Sequence, residues 1–320
     1  MTIDASGSNP AATLSFTAAS SPDFFENGGN RTLTLTGSNT GANTFAMAIG
    51  EAYGTTSVFK SGAGKWVLTG TNTYTGTTTV SAGTLALGAS NVLPNSTAVS
   101  LGTATLSVGA GFTDTAGILN VAGSAVINLG NAASKISFAD NGALLTWAGT
   151  LNLTGTFVPG ASVRFGTDAS GLTTNQLSRI TVNGSGTYKL DPAGYLIASG
   201  FDSWRTLNGA GSQTLGDDHD NDGVSNGIEY FLGGSAGITT GFTPLPAPTP
   251  AGSTFKITWI KGPGYIGTYG THFQVETSAT LTNPWIVEAV GVNVTDTPTS
   301  VTFTFPVGTK NFARLKVTGP

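Results

Sequence analysis

One short fragment recurs through the first half of this 320-residue chain: two aliphatic residues, two positions apart, followed by a Gly. In the form x-Leu-x-(Leu/Val)-x-Gly it appears as Leu33/Leu35 before Gly37, Leu85/Leu87 before Gly88, and Leu106/Val108 before Gly109. It returns as Leu119/Val121 before Gly123, Ile127/Leu129 before Gly130, and Leu151/Leu153 before Gly155. Residues two apart share one face of a strand, and the Gly lets the chain turn. Spacings between echoes are irregular, but several are near twenty residues, about one coil of a β-solenoid. The densest stretch is Phe59 to Gly88. Its runs Trp66–Thr69 and Thr84–Leu87 are strand-like, and the Thr-rich run Tyr74–Val80 between them favours extended backbone because Thr is β-branched. No helical period fits.

The run KSGAGKWVLTGTNTYTGTTTVSAGTLALG, Lys60–Gly88, resembles the autotransporter-associated β-strand repeat, a passenger-domain repeat of secreted and surface bacterial proteins. Phe165–Leu196 is similar to the segment that ends such solenoids. The resemblance implies a right-handed parallel β-helix and an extracellular or cell-surface location. Composition alone implies only an all-β, Gly/Thr-rich chain.

A chain of this length suggests two or three domains. Only 9% of residues are charged, so Thr, Ser, Asn and Gly must cover much of the surface. No apolar run approaches the eighteen or more residues of a spanning helix. A net charge of −4, with 13 basic residues spread along the chain, argues against a nucleic-acid partner. There is no Cys, hence no disulfide and no thiolate metal site. The start, MTIDASGSNPAATLSF, lacks the basic and apolar regions of a signal peptide.

In chain order, residues 1–30 form an N-terminal strand or cap segment. Its run Ala12–Thr17, with Leu14 and Phe16 on one face, either caps the first coil of its own solenoid or adds to a neighbour's sheet edge. Residues 31–200 are the solenoid with its end cap. The aromatics Phe45, Tyr53, Phe59, Trp66, Tyr74, Phe112, Phe138 and Trp147 read as core or stacking residues. Thr173 or Thr174 caps a helical turn at Leu172–Leu177.

Residues 201–234 carry the most specific chemical signal. Asp218-His-Asp220-Asn-Asp222-Gly223-Val224-Ser-Asn-Gly-Ile-Glu229 fits D-x-D-x-D-G-x5-E at every specified position. Carboxylates at loop positions one, three and five converge, Gly223 permits the sharp turn, Val224 offers its carbonyl, and Glu229 binds bidentate. Hard oxygen donors in this number suit Ca²⁺ better than Mg²⁺. Five of the seventeen acidic residues fall within 217–229, a self-repelling cluster without a cation. Asn208–Gly216 is not helical, and only Asn226–Leu232 can follow as a short helix ended by Gly233-Gly234. The loop therefore resembles the single calcium loops of dockerins and thrombospondin type 3 repeats. Phe201–Gly234 also resembles a junction near the C-termini of large secreted Verrucomicrobia-type and Planctomycete-type proteins.

Residues 235–252 are a Pro-rich linker, extended over Thr243–Pro250. Residues 253–320 read as a small β-sandwich with strands at Thr254–Ile260, His272–Thr277, Trp285–Ala289, Ser300–Phe305 and Phe312–Val317.

No enzyme is expected. The solenoid's acidic residues, Asp4, Asp23, Glu26, Glu51, Asp114, Asp140, Asp168 and Asp191, are scattered, and no nucleophile motif is present. The expected role is a calcium-stabilised structural subunit forming a head-to-tail homo-polymer through terminal strands, Ala12–Thr17 and Phe312–Val317. The alternative is a cell-surface adhesin or glycan-binding protein using aromatics among Trp259, Tyr265, Tyr269 and Trp285.

Overall fold

The computed structural model describes residues 1–17, 29–51, 53–142, 146–233, 246–262, 264–281, 284–306 and 312–319. The chain divides into two compact units, Met1–Ile197 and Ala198–Pro320.

The first unit is a right-handed parallel β-solenoid of about six turns. Its strands are β1 (Thr2–Asp4), β2 (Ser15–Phe16), β3 (Arg31–Thr36), β4 (Asn43–Phe45), β5 (Thr56–Lys60), β6 (Lys65–Leu68), β7 (Thr78–Leu87) and β8 (Val99–Val108). They continue as β9 (Thr113–Thr115), β10 (Leu119–Val121), β11 (Ser124–Leu129), β12 (Lys135–Phe138), β13 (Thr150–Gly155), β14 (Val163–Phe165) and β15 (Ile180–Val182). Pairing is parallel along β1-β3-β5-β7-β8-β11-β13-β15, and β9, β12 and β14 stack as a separate sheet. The recurring aliphatic pairs are the inward positions, and all are buried. Register aligns Asn43, Trp66, Leu85, Leu106, Ile127, Leu153 and Val182 in one column through the core. Outward polar side chains join coils, as Asn128 to Thr154 at 2.9 Å and Asn120 to Ser100 at 3.2 Å. Gly155 closes its fragment at φ +80°, where a Cβ would run into the Leu129 backbone of the coil before.

Alternation sets one register against residue type. With Val58 inward, Phe59 faces out and Lys60 faces in, fully buried. Its ammonium donates to the carbonyls of Ser61, Gly62 and Ala82 at 2.7, 2.8 and 2.9 Å. Three acceptors make the inward cation tolerable. Of the aromatics read as core, Phe45, Trp66, Tyr74, Phe138 and Trp147 are buried, whereas Tyr53 lies exposed in a turn.

Four of the scattered carboxylates pin nearby backbone. Glu51 accepts from the backbones of Thr56 and Thr75, Asp114 from Val92 and Leu93, Asp168 from Ser170, and Asp191 from Ala193 and Tyr195. Asp23 and Glu26 lie outside the described residues.

The two ends of the solenoid differ. At the C-terminal end, helix α1 (Thr174–Leu177) has a capping box between Thr173 and Gln176. Strands β16 (Tyr188–Leu190) and β17 (Leu196–Ala198) follow, and backbone bonds from Phe165 to Gly194 and from Gly160 to Leu196 cover the last coil. At the N-terminal end, β1 pairs with β3 and β2 with β4, so Ser15–Phe16 belongs to its own solenoid. Among the described residues no strand pairs with the other edge of β1 or β2. Leu14 is 40% exposed.

The second unit joins two antiparallel sheets. One runs β18 (Thr249–Ala251), β19 (Thr254–Ile260), β23 (Ser300–Pro306), β22 (Val294–Asp296); the other runs β21 (Ile286–Val287), β20 (Phe273–Ser278), β24 (Phe312–Val317). Ile257, Trp259, Val301 and Phe303 from the first share one core with Phe273, Val275 and Leu315 from the second. Helices α2 (Phe201–Leu207) and α3 (Asn226–Leu232) add Phe201, Trp204, Tyr230 and Phe231 to that core. Strand β18 arises within the stretch read as linker: Pro250 is accommodated because β18 is an edge strand. Residues 243–245 lie outside the described residues.

Candidate metal centre

The loop before α3 is built by side-chain-to-backbone bonds that turn the chain around a point. Gly223 N–H donates to Asp218 Oδ2 at 2.9 Å, Asp222 N–H to Asp220 Oδ1 at 3.3 Å, and Val224 N–H to Asp222 Oδ1 at 2.8 Å. Gly223 has φ +91° and Asn221 φ +59°, the left-handed region that such a turn requires. Outside the turn, Asn226 N–H donates to Asp217 O at 2.7 Å and Gly227 N–H to Leu215 O at 2.8 Å, closing the base of the loop.

This geometry brings Asp218, Asp220 and Asp222 together, with one oxygen of each within 4.8 Å of the others. Glu229 enters from the first turn of α3 and is fully buried. Burial, and then the charges of Asp220, Asp222 and Asp218, push its carboxyl up to about 7. Asp218 Oδ1, Asp220 Oδ2 and both Glu229 oxygens are buried with no hydrogen-bond partner. Buried carboxylate oxygens are normally paired, and these four orphans face one loop as a donor set that a cation would satisfy. The donor set is all oxygen, and it fits a hard divalent ion such as Ca²⁺. Val224, whose N–H is held by Asp222, sits at the position whose carbonyl completes such a set.

Asn226 is the functional residue that the loop pattern does not reveal. It occupies the ninth loop position, where a ligand or a water-bridging group is usual. Here its amide turns away: Oδ1 accepts from His219 N–H at 3.2 Å, and Nδ2 donates to Gln213 Oε1 at 3.0 Å and Thr214 O at 3.1 Å. It therefore braces the loop.

The aromatics considered for a glycan platform are mostly structural. Trp259 and Tyr265 are buried in the core, and Tyr269 is held by bonds to Glu288 O and Val275 N. Trp285 is half-buried, with the Arg314 guanidinium 4.1 Å above its ring. No helix among the described residues is long and apolar enough to cross a membrane.

Over 87 residues the chain is 42% identical to the "Adhesin BmaC autotransporter" of Brucella suis biovar 1 (strain 1330). The alignment covers 27% of this chain and 2% of that relative, so the chain spans a small part of the relative's length. No solved structure matches the chain. Residues 58–87, which run from β5 through β7, match the family described as "Passenger-associated-transport-repeat".

Proposed function

We propose that the chain is a non-catalytic, surface-displayed or secreted bacterial protein of the passenger type. In this reading the solenoid is a rigid stalk and the second unit is a calcium-bound module. The similarity of residues 58–87 to a passenger repeat carries this reading, and the relative named as an adhesin autotransporter supports an adhesive role. Asp218, Asp220, Asp222, the Val224 carbonyl and Glu229 would hold the ion. The supporting observation is the four buried carboxylate oxygens without partners.

Protease treatment of intact source cells tests the location. Peptides of this chain should be released before any cytoplasmic marker. Recovery of the chain only after lysis would sink the reading.

A second reading, assembly into a fibre, is favoured by one observation: among the described residues the N-terminal coil has unpaired strand edges, with a partly exposed Leu14. Strand Phe312–Val317 lies at a sheet edge of the second unit. Electron microscopy of the purified chain with calcium should then show filaments, and monodisperse particles at high concentration would remove this reading.

A further inference from the structure

We infer that folding of the second unit, Ala198–Pro320, is conditional on a divalent cation, whereas the solenoid folds without one. This rests on the calcium reading of the Asp218–Glu229 loop. The inference comes from where Glu229 stands in the chain. The next two residues, Tyr230 and Phe231, are central members of the core of the second unit. The Tyr230 ring lies 5.0 Å from Tyr265, 5.7 Å from Phe201 and 6.0 Å from Trp204. The Phe231 ring lies 4.6 Å from Tyr265 and 5.0 Å from Phe273. One seven-residue helix thus places a carboxylate in the loop and two aromatics in the core.

That helix has little stability of its own. Seven residues are too few for an isolated helix in water, and the Ser225 N-cap makes no side-chain capping bond. Its position depends on tertiary bonds, such as Gly262 N–H to Phe231 O at 2.6 Å. Without a cation, docking Tyr230 and Phe231 must bury the Glu229 carboxylate with neither oxygen paired, beside three converging Asp carboxylates. With a cation the same movement satisfies all four orphan oxygens. The loop is also one wall of a cavity of about 410 Å³ whose other walls include Ile257, Trp259 and Leu315 of the two sheets. Loop order and sheet packing are therefore coupled through α3, whose Glu229 faces the loop and whose Tyr230 and Phe231 enter the core. In the solenoid the described carboxylates are instead satisfied by backbone N–H groups or hydroxyls, as at Glu51, Asp114 and Asp191. Among the described residues of the solenoid nothing calls for an ion.

The device has a direct use. Calcium-poor conditions would leave the second unit unfolded beside a folded solenoid, and calcium-rich surroundings would complete it.

Hydrogen exchange read by mass spectrometry on the full chain, in chelator and in millimolar CaCl₂, tests this, with calorimetry of CaCl₂ binding alongside. The expected result is that peptides covering Thr254–Ile260, Phe273–Ser278 and Ser300–Pro306 exchange at least about tenfold faster in chelator. Peptides covering Thr78–Leu87 and Val99–Val108 should be equally protected in both. If the second unit is protected in both conditions while calorimetry shows binding, the conditional folding is wrong and the calcium site stands. If it is protected in both and no binding heat appears, the calcium site is wrong as well. A second unit unprotected in both conditions also overturns the inference, because calcium then does not complete the fold.

Discussion

Lys60 Nζ lies 2.9 Å from the carbonyl oxygen of Ala82, so a buried cation ties one coil of the solenoid to the next. Burial lowers this ammonium to about 8, which leaves it charged at neutral pH. Lys60→Met keeps the length of the side chain and removes the donor for three carbonyls. It should destabilise the solenoid by about 2 kcal/mol. For a unit of this size that is a fall of roughly 4–8 °C in Tm, read by calorimetry. An unchanged Tm would mean that the carbonyls find water instead.

Asp114 gives the solenoid a pH dependence of defined sign. Burial raises its carboxyl from 3.8 to about 6, against the opposing bonds from Val92, Leu93 and Thr115. The folded state therefore holds a proton that the unfolded state has released. Its stabilising contribution is complete below pH 4 and is lost as pH rises through 6. The loss should reach up to about 3 kcal/mol. Denaturant titrations of Asp114→Asn and the parent at pH 4 and pH 6.5 check this: the variant should lack that part of the slope.

At the candidate metal centre, replacing both Asp220 and Asp222 by Ala removes two of the three converging carboxylates. Calorimetric calcium binding should disappear, and hydrogen exchange in the second unit should be equally fast with and without chelator. Persistent binding with parental affinity would place the ion elsewhere.

Gly155 turns at φ +80°, where a Cβ would meet the Leu129 backbone. Gly155→Val imposes both backbone strain and a clash that rigid backbone cannot relieve. Loss of about 3 kcal/mol or more from the solenoid is expected, measured by urea unfolding. Gly111→Val is the control: its φ is also positive, but no heavy atom lies within 4 Å of its Cβ. It should show the strain alone, about 1 kcal/mol.

Much of this architecture is written in local pattern. The aliphatic pairs Leu85/Leu87 and Leu106/Val108 announce inward faces because a strand has a period of two, and they stack in register as that period requires. The twelve-residue acidic loop is legible because carboxylate spacing alone fixes where its oxygens converge. Residue type fails where register decides. Phe59 faces out and Lys60 in because Val58 sets the phase and nearby carbonyls accept the ammonium. Strand β22 was hidden because Val294–Asp296 is three residues long, and β18 because Pro250 argues against a strand until an edge is known to be there. The brace at Asn226 depends on Gln213 and Thr214, whose approach no spacing rule encodes.

The inward column of the solenoid passes from Asn43 to Trp66 to Leu85 and on to Val182. Each coil packs chiefly against the coils directly above and below it. That confines sequence constraint to neighbours, so similarity to a passenger repeat is concentrated at residues 58–87 while the coil geometry extends far beyond them. It also frees the number of coils from the identity of any one. Each coil advances the stack by about 4.8 Å, so a solenoid of this kind is a ruler whose length can be reset in whole graduations without redesigning the material.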